Sequence, residues 1–107
     1  MPDEISASGL AARLREGQSV VIVDVREPWE REIGRLPGDV HIPMREIPAR
    51  LGEIAVPPDG IIVCYCHAGI RSLAVAGFLE QSGIPAVSLA GGIDAWSCEV
   101  DPGVPRY

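Results

Sequence analysis

The sequence predicts a single α/β domain of three layers, with a mostly parallel central sheet flanked by helices. Residues 20–25 and 61–65 are apolar runs rich in β-branched side chains, interrupted only by Asp24, which is typical of strands buried on both faces of a sheet. Helical segments separate these runs, and strands that alternate with helices indicate parallel pairing. A length of 107 residues suits one hydrophobic core, so we expect one domain over residues 1–107.

The first half of the chain carries signals for two short helices and a further strand. Ser6 or Ser8 is suited to cap a first helix, and Gly17 stands just past its expected end. Pro28 is placed where the first position of a second, short helix would be. Residues 40–42 form a brief apolar stretch that predicts a strand.

The second half contains the strongest helix of the chain, at residues 72–81, with Gly83 as its stop. A short helical segment is expected at residues 47–54 and a strand at residues 87–89. A short helix is expected at residues 93–96 and an extended surface tail at residues 99–107. The alternation of strands and helices is thus maintained along the whole chain. In such folds ligand sites lie beyond the carboxyl ends of the strands.

The composition excludes several classes of function. The formal net charge is -6, all nine basic residues are Arg, and a basic patch for nucleic acid or anionic lipid is therefore not expected. Without Lys, Schiff-base catalysis, pyridoxal phosphate attachment and a lysine-containing phosphate loop are impossible. No apolar run is long enough to span a bilayer, and the first residues lack the pattern of a signal peptide, so a cytoplasmic location is the expectation.

The three cysteines are expected to be reduced thiols rather than parts of a disulfide framework. Cys64 is interpreted as a core residue, with a resolving thiol as the alternative, and nothing places Cys98 near a site. The spacing of Cys64, Cys66, His67 and Cys98 is not that of a zinc site. We therefore expect neither a metal nor a cofactor.

Residues 66–72 form the loop that carries the predicted chemistry, between a buried strand and the strongest helix. A helix N-terminus offers free N–H groups and a positive partial charge, so a Cys66 thiolate is stabilised there and its pKa is lowered. Gly69 supplies the backbone freedom that lets loop N–H groups point inward. Arg71, a cation at the start of a helix, needs an anionic partner, which would be the thiolate, a persulfide or an anionic substrate.

Other polar residues have more than one interpretation. His67 either tunes the thiolate, acts as an acid or has no part in the chemistry. Asp24 and Arg26 follow the first buried strand and form either a structural ion pair or contacts to substrate. The acidic side chains, Glu30 among them, are interpreted as solvated surface.

Four motifs together resemble a single-domain rhodanese. They are Cys66-x-x-Gly69-x-Arg71 and the segments at residues 23–27, 34–43 and 89–96. The resemblance covers residues 5 to 96, nearly the whole chain, and the motifs occur in the family's order. It implies the rhodanese-like fold and sulfurtransferase activity.

The resemblance also implies roles for individual residues. Cys66 would carry a persulfide, taking a sulfane sulfur from a donor such as thiosulfate. His67, Ala68, Gly69 and Ile70 would form the active-site loop that Arg71 closes. Asp24 and Arg26 would support the loop. The implied partners are a small anionic donor and, as an alternative, a sulfur-relay protein; a related cysteine-dependent phosphatase is a further alternative that the four residues between Cys66 and Arg71 disfavour.

Overall fold

The fold is a five-stranded sheet in which every strand pair is parallel, as seen in a computed structural model that describes residues 3–107. The strands are β1 (Asp3–Ile5), β2 (Val20–Asp24), β3 (Val40–His41), β4 (Ile61–Tyr65) and β5 (Ala86–Leu89). Their order across the sheet is β1-β5-β4-β2-β3. The predicted fold class is confirmed. β1 was not predicted; its three residues pair with β5 at the edge of the sheet.

Helices cover both faces of this sheet. They are α1 (Ala7–Arg15), α2 (Pro28–Ile33), α3 (Ile70–Gln81) and α4 (Gly92–Glu99), with 3-10 segments at Met44–Glu46 and Pro48–Glu53. Ser6 is the cap of α1, since its Oγ accepts a hydrogen bond from the N–H of Gly9 at 3.0 Å. Within residues 3–107, none of these helices has the length and apolarity needed to cross a membrane.

Two apolar clusters lie on opposite faces of the sheet and make the three layers. Val63 and Tyr65 of β4 point to the cluster that contains Leu10 of α1 and Trp96 of α4. Ile62 and Cys64 of the same strand point to the cluster under α3. Alternate side chains of one strand enter opposite clusters because successive side chains of a strand point to opposite faces. The fully buried Cys64 is thus a core residue.

Residues 99–107 differ from the expected extended surface tail. The first of them, Glu99, ends α4, and residues 102–103 form a turn. Val104 is buried, and its carbonyl accepts a hydrogen bond from the hydroxyl of Ser97 at 2.6 Å. Arg106 forms an ion pair with Asp94 at 2.8 Å. These contacts hold the last residues against α4 and bring Tyr107 to the end of the sheet where Cys66 lies.

Candidate active site

The carboxyl ends of β2 and β4 meet at one edge of the sheet, because the two strands are neighbours and Asp24 pairs with Tyr65. Cys66 follows Tyr65, and Arg26 follows Asp24 by two residues. The parallel register therefore brings the two predicted groups of polar residues to the same place. α3 begins four residues after Cys66, so its N-terminus faces this edge.

The Sγ of Cys66 receives hydrogen bonds from the start of α3. The N–H of Gly69 donates at 3.2 Å and the N–H of Ser72 donates at 3.4 Å. The Ser72 hydroxyl lies 3.4 Å from the same sulfur and 2.8 Å from the hydroxyl of Ser88. Gly69 has a φ of 101°, a left-handed conformation that glycine adopts without strain and that turns its N–H toward the sulfur.

These contacts favour the ionised form of Cys66. Cys66 is only 1% exposed, and burial by itself favours the neutral thiol. The hydrogen bonds of Ser72 and Gly69, together with the positive charge of Arg71, outweigh that burial and lower the pKa of Cys66 below its ordinary value. The N-terminus of α3, a helix of 12 residues, acts in the same direction. The site is therefore built for a sulfur anion.

α4 fixes the backbone of the loop from the other side. The N–H of Ile93 donates to the carbonyl of Cys66 at 2.9 Å, and the N–H of Asp94 donates to the carbonyl of His67 at 3.1 Å. A Cβ at Gly92, which has a φ of 62°, would collide with both of these carbonyl oxygens. The glycine pair at the start of α4, interpreted from the sequence as a simple turn, therefore allows this close approach.

Arg71 acts on the predicted thiolate of Cys66 through its charge, but its hydrogen bonds go to a different anion. Its two terminal nitrogens donate to the two carboxylate oxygens of Glu30, at 2.7 and 2.9 Å. Glu30 is only 2% exposed, so its interpretation as solvated surface is wrong. A buried carboxylate needs a cation and hydrogen-bond donors, and Arg71 supplies both.

Glu30 is held in place by further donors. The hydroxyl of Tyr107 donates to it at 2.6 Å, and the N–H of Glu27 donates at 3.0 Å. Burial by itself would raise the pKa of Glu30, but the hydrogen bonds from Arg71, Tyr107 and Glu27 lower it to about 2. The carboxylate is thus fixed in position and charged at neutral pH.

Asp24 and Arg26 form a fully buried ion pair, with two hydrogen bonds of 2.9 Å between them. Arg26 also donates to the hydroxyl of Tyr107 at 2.9 Å and to the carbonyl of Gly34 at 2.6 Å. The hydroxyl of Tyr107 therefore links the guanidinium of Arg26 to the carboxylate of Glu30. These contacts match the interpretation of Asp24 and Arg26 as a structural ion pair.

The remaining loop residues differ in exposure. His67 is half-buried, its Nδ1 has no hydrogen-bond partner among the described residues, and its ring lies edge-on to Tyr107 with centroids 4.3 Å apart. Ala68 is exposed, and Ile70, the first residue of α3, is 80% exposed. Cys98 is an exposed free thiol of α4.

An open pocket of about 520 Å³ lies beside this loop. Its lining residues are Glu27, Trp29, Glu30, His67, Arg71 and Tyr107. Trp29 is 61% exposed and its ring meets that of Tyr107 at a centroid distance of 6.0 Å. Aromatic rings and carboxylates therefore predominate at this entrance.

Three residues of the site were missed by sequence reasoning. Glu30 stands at the third position of the helix that Pro28 opens, where a Glu caps the helix start, and that position was a usable signal. Ser72 was interpreted only as the start of a helix. No sequence signal indicated Tyr107.

Comparison with known proteins identifies the family. A model of the rhodanese-like domain matches residues 6–99. A protein named Sulfurtransferase from Allochromatium vinosum is 40% identical over 98 residues, which cover 91% of this chain and 90% of that protein. The crystal structure of a rhodanese-like domain protein from Staphylococcus aureus has a TM-score of 0.82 and 35% identity, with 98% of each chain covered.

The domain also matches part of a longer protein. This chain is 34% identical over 95 residues to the probable adenylyltransferase/sulfurtransferase MoeZ of Mycobacterium tuberculosis, and the match covers 88% of this chain but 24% of that protein. The family match extends over most of the chain, and the solved structure shares its fold along nearly its whole length. The chain belongs to the rhodanese-like domain family.

Proposed function

We propose that this protein is a sulfurtransferase that carries a sulfane sulfur as a persulfide on Cys66. The observation that carries the proposal is the set of donors on one sulfur: the N–H groups of Gly69 and Ser72 at 3.2 and 3.4 Å, at the N-terminus of α3. An anion-binding loop around a cysteine of lowered pKa is what a sulfur nucleophile requires. The sulfurtransferase names of relatives support the same activity.

The reaction proceeds in two half-reactions. In the first, the Cys66 thiolate attacks the outer sulfur of a donor such as thiosulfate. A bond forms between the two sulfurs, the sulfur–sulfur bond of thiosulfate breaks, and its electron pair leaves with sulfite. In the second, a nucleophile attacks the outer sulfur of the Cys66 persulfide and the thiolate is restored, which predicts ping-pong kinetics.

The loop stabilises the charged states of both half-reactions. Its N–H groups are already oriented, so they need no reorganisation when the charge moves from the thiolate to the persulfide. The side chain of Cys66 is almost fully buried, which protects a persulfide from other thiols. The ion pair of Asp24 and Arg26 acts as a support of the loop and not as a contact to the donor.

Intact mass spectrometry tests this proposal. We expect the protein to gain the mass of one sulfur atom after incubation with excess thiosulfate, and Cys66→Ser to gain none. Cys98→Ser is the matched control, because it removes an exposed thiol and should leave the gain unchanged. A wild-type protein without added sulfur, or a Cys66→Ser variant that still gains it, would refute the assignment.

A relay role is the second candidate, and the match to part of a longer adenylyltransferase/sulfurtransferase favours it. In that role the persulfide passes to a partner protein. The two roles differ in turnover with cyanide as the acceptor. Rapid formation of thiocyanate indicates a free-standing enzyme, whereas a persulfide that is stable toward cyanide indicates relay.

A further inference from the structure

Arg71, the cation whose charge acts on the Cys66 sulfur, is already neutralised within the protein. Both terminal nitrogens of Arg71 are bound to the carboxylate of Glu30, at 2.7 and 2.9 Å. The edge of the guanidinium that grips an oxyanion through two hydrogen bonds is therefore occupied. A donor that approaches Arg71 meets the negative charge of Glu30 as well.

The rest of the pocket adds no positive charge to attract a dianion. Its lining contains the carboxylates of Glu27 and Glu30 and the guanidinium of Arg71, which is paired with Glu30. Arg45, the nearby cation, is itself paired with Glu27. Thiosulfate carries two negative charges and would find each of these two cations already bound to a carboxylate.

Aromatic rings form the apolar part of the same entrance. Trp29, Tyr107 and His67 line it, and Trp29 leaves most of its surface exposed. Trp29 and His67 lie within residues 6–99, which match the family model, and Tyr107 lies beyond them. An exposed tryptophan at the mouth of a site offers a surface on which a flat or apolar group packs.

We propose that this entrance selects sulfane donors that carry at most one negative charge and an organic group, the class of the persulfide of an organic thiol, over dianionic thiosulfate. The inference rests on the proposed sulfur transfer at Cys66 and names its donor class. Glu30 sets the charge preference, and Trp29 with Tyr107 accommodates the organic group.

Sulfur transfer from such a donor to Cys66 needs no other reactant. The Cys66 thiolate attacks the outer sulfur of R–S–SH and a new sulfur–sulfur bond forms. The bond between the two donor sulfurs breaks, and its electron pair leaves on R–S⁻. The proton stays on the transferred sulfur, so the products are a protonated Cys66 persulfide and the thiolate of the donor.

Three donors with the same reacting bond separate charge from shape. Thiosulfate is a dianion, whereas methanethiosulfonate and benzenethiosulfonate are monoanions with a small and an aromatic group. The rate of persulfide formation on Cys66 is measured with each donor. It is normalised by dividing it by the rate at which free cysteine reacts with the same donor. We expect benzenethiosulfonate to be fastest and thiosulfate to be at least about fivefold slower, since one unit of charge near a carboxylate changes a rate by about fivefold in water.

Variants test the two parts of the entrance. Glu30→Gln should raise the rate with thiosulfate relative to methanethiosulfonate by about three- to fivefold, because one repelling charge is removed. Glu32→Gln makes the same change at an exposed position of α2 and should leave this ratio unaltered. Trp29→Ala should lower the preference for benzenethiosulfonate over methanethiosulfonate by at least about threefold.

The outcomes distinguish the donor class from the function itself. If thiosulfate is the fastest donor after normalisation, or if Glu30→Gln leaves the ratio unchanged, the donor class is overturned. If Glu30→Gln does not fold, the Trp29→Ala variant decides. An unchanged preference of that variant for benzenethiosulfonate over methanethiosulfonate then overturns the inference. If no donor modifies Cys66, the proposed sulfur transfer fails as well.

Discussion

Replacing Glu30 by Gln should remove a large pH-dependent part of the stability of this protein. Glu30 is buried and paired with Arg71, and these contacts lower its pKa to about 2, from 4.5 for an unperturbed group. At about 1.4 kcal/mol for each unit of pKa, the ionised carboxylate stabilises the folded state by about 3 kcal/mol at neutral pH. Gln has nearly the same shape but cannot ionise.

The sign of the effect follows from the lowered pKa. A carboxylate whose pKa falls on folding stabilises the protein above the pKa of the unfolded chain, and this contribution disappears as the pH falls toward the folded value. With pKa values of 4.5 and about 2, roughly 2 kcal/mol is lost between pH 6 and pH 3. Chemical denaturation at pH 6, 5, 4 and 3 measures the free energy of unfolding of wild type and variant.

The difference between the two proteins is the quantity that tests the prediction, because all other acidic groups titrate in both. We expect the advantage of the wild type to shrink by about 2 kcal/mol from pH 6 to pH 3. Glu32→Gln, on the same helix, should follow the wild type at every pH. Parallel curves for wild type and Glu30→Gln would show that the Glu30–Arg71 pair does not stabilise the fold in this way.

Three further substitutions give separate tests. Ser72→Ala removes the hydroxyl 3.4 Å from the Cys66 sulfur and should raise the pKa of that thiol. The pH dependence of its alkylation by iodoacetamide should therefore shift to higher pH, and an unshifted profile argues against this contact. Gly92→Ala forces a methyl group against the loop carbonyls, and we expect a loss of about 1–3 kcal/mol in a melting experiment together with slower persulfide formation; an unaltered protein would contradict the close packing. Cys64→Ala should cost about 1 kcal/mol and leave the mass gain on Cys66 intact, whereas loss of the gain would assign Cys64 a redox role.

The proposed active-site loop could be located from sequence because its signals are local. Cys66, Gly69 and Arg71 lie within six residues, between a strand and a helix whose patterns are both strong. The requirement for a helix N-terminus next to the thiolate follows from elementary electrostatics. The two buried strands and the fold class could be predicted for the same reason, since runs of apolar residues report burial directly.

The partners of the charged residues could not be predicted in this way. Glu30 is separated from Arg71 by 41 residues and from Tyr107 by 77 residues, and no local pattern reports that these side chains meet. A glutamate that lies next to exposed residues in sequence is indistinguishable from surface until its distant donors are known. Likewise, β1 contributes only three residues and exists because β5 lies beside it.

The sequence by itself determined the proposed nucleophile, the loop around it and the layered sheet, because each rests on neighbours along the chain. Only the tertiary structure decided the charge of the entrance, because burial of Glu30 depends on cations and hydroxyl groups that folding brings from remote segments. The chemistry at Cys66 is therefore predictable from a few adjacent residues. The proposed choice of donor depends on the folded surface around them.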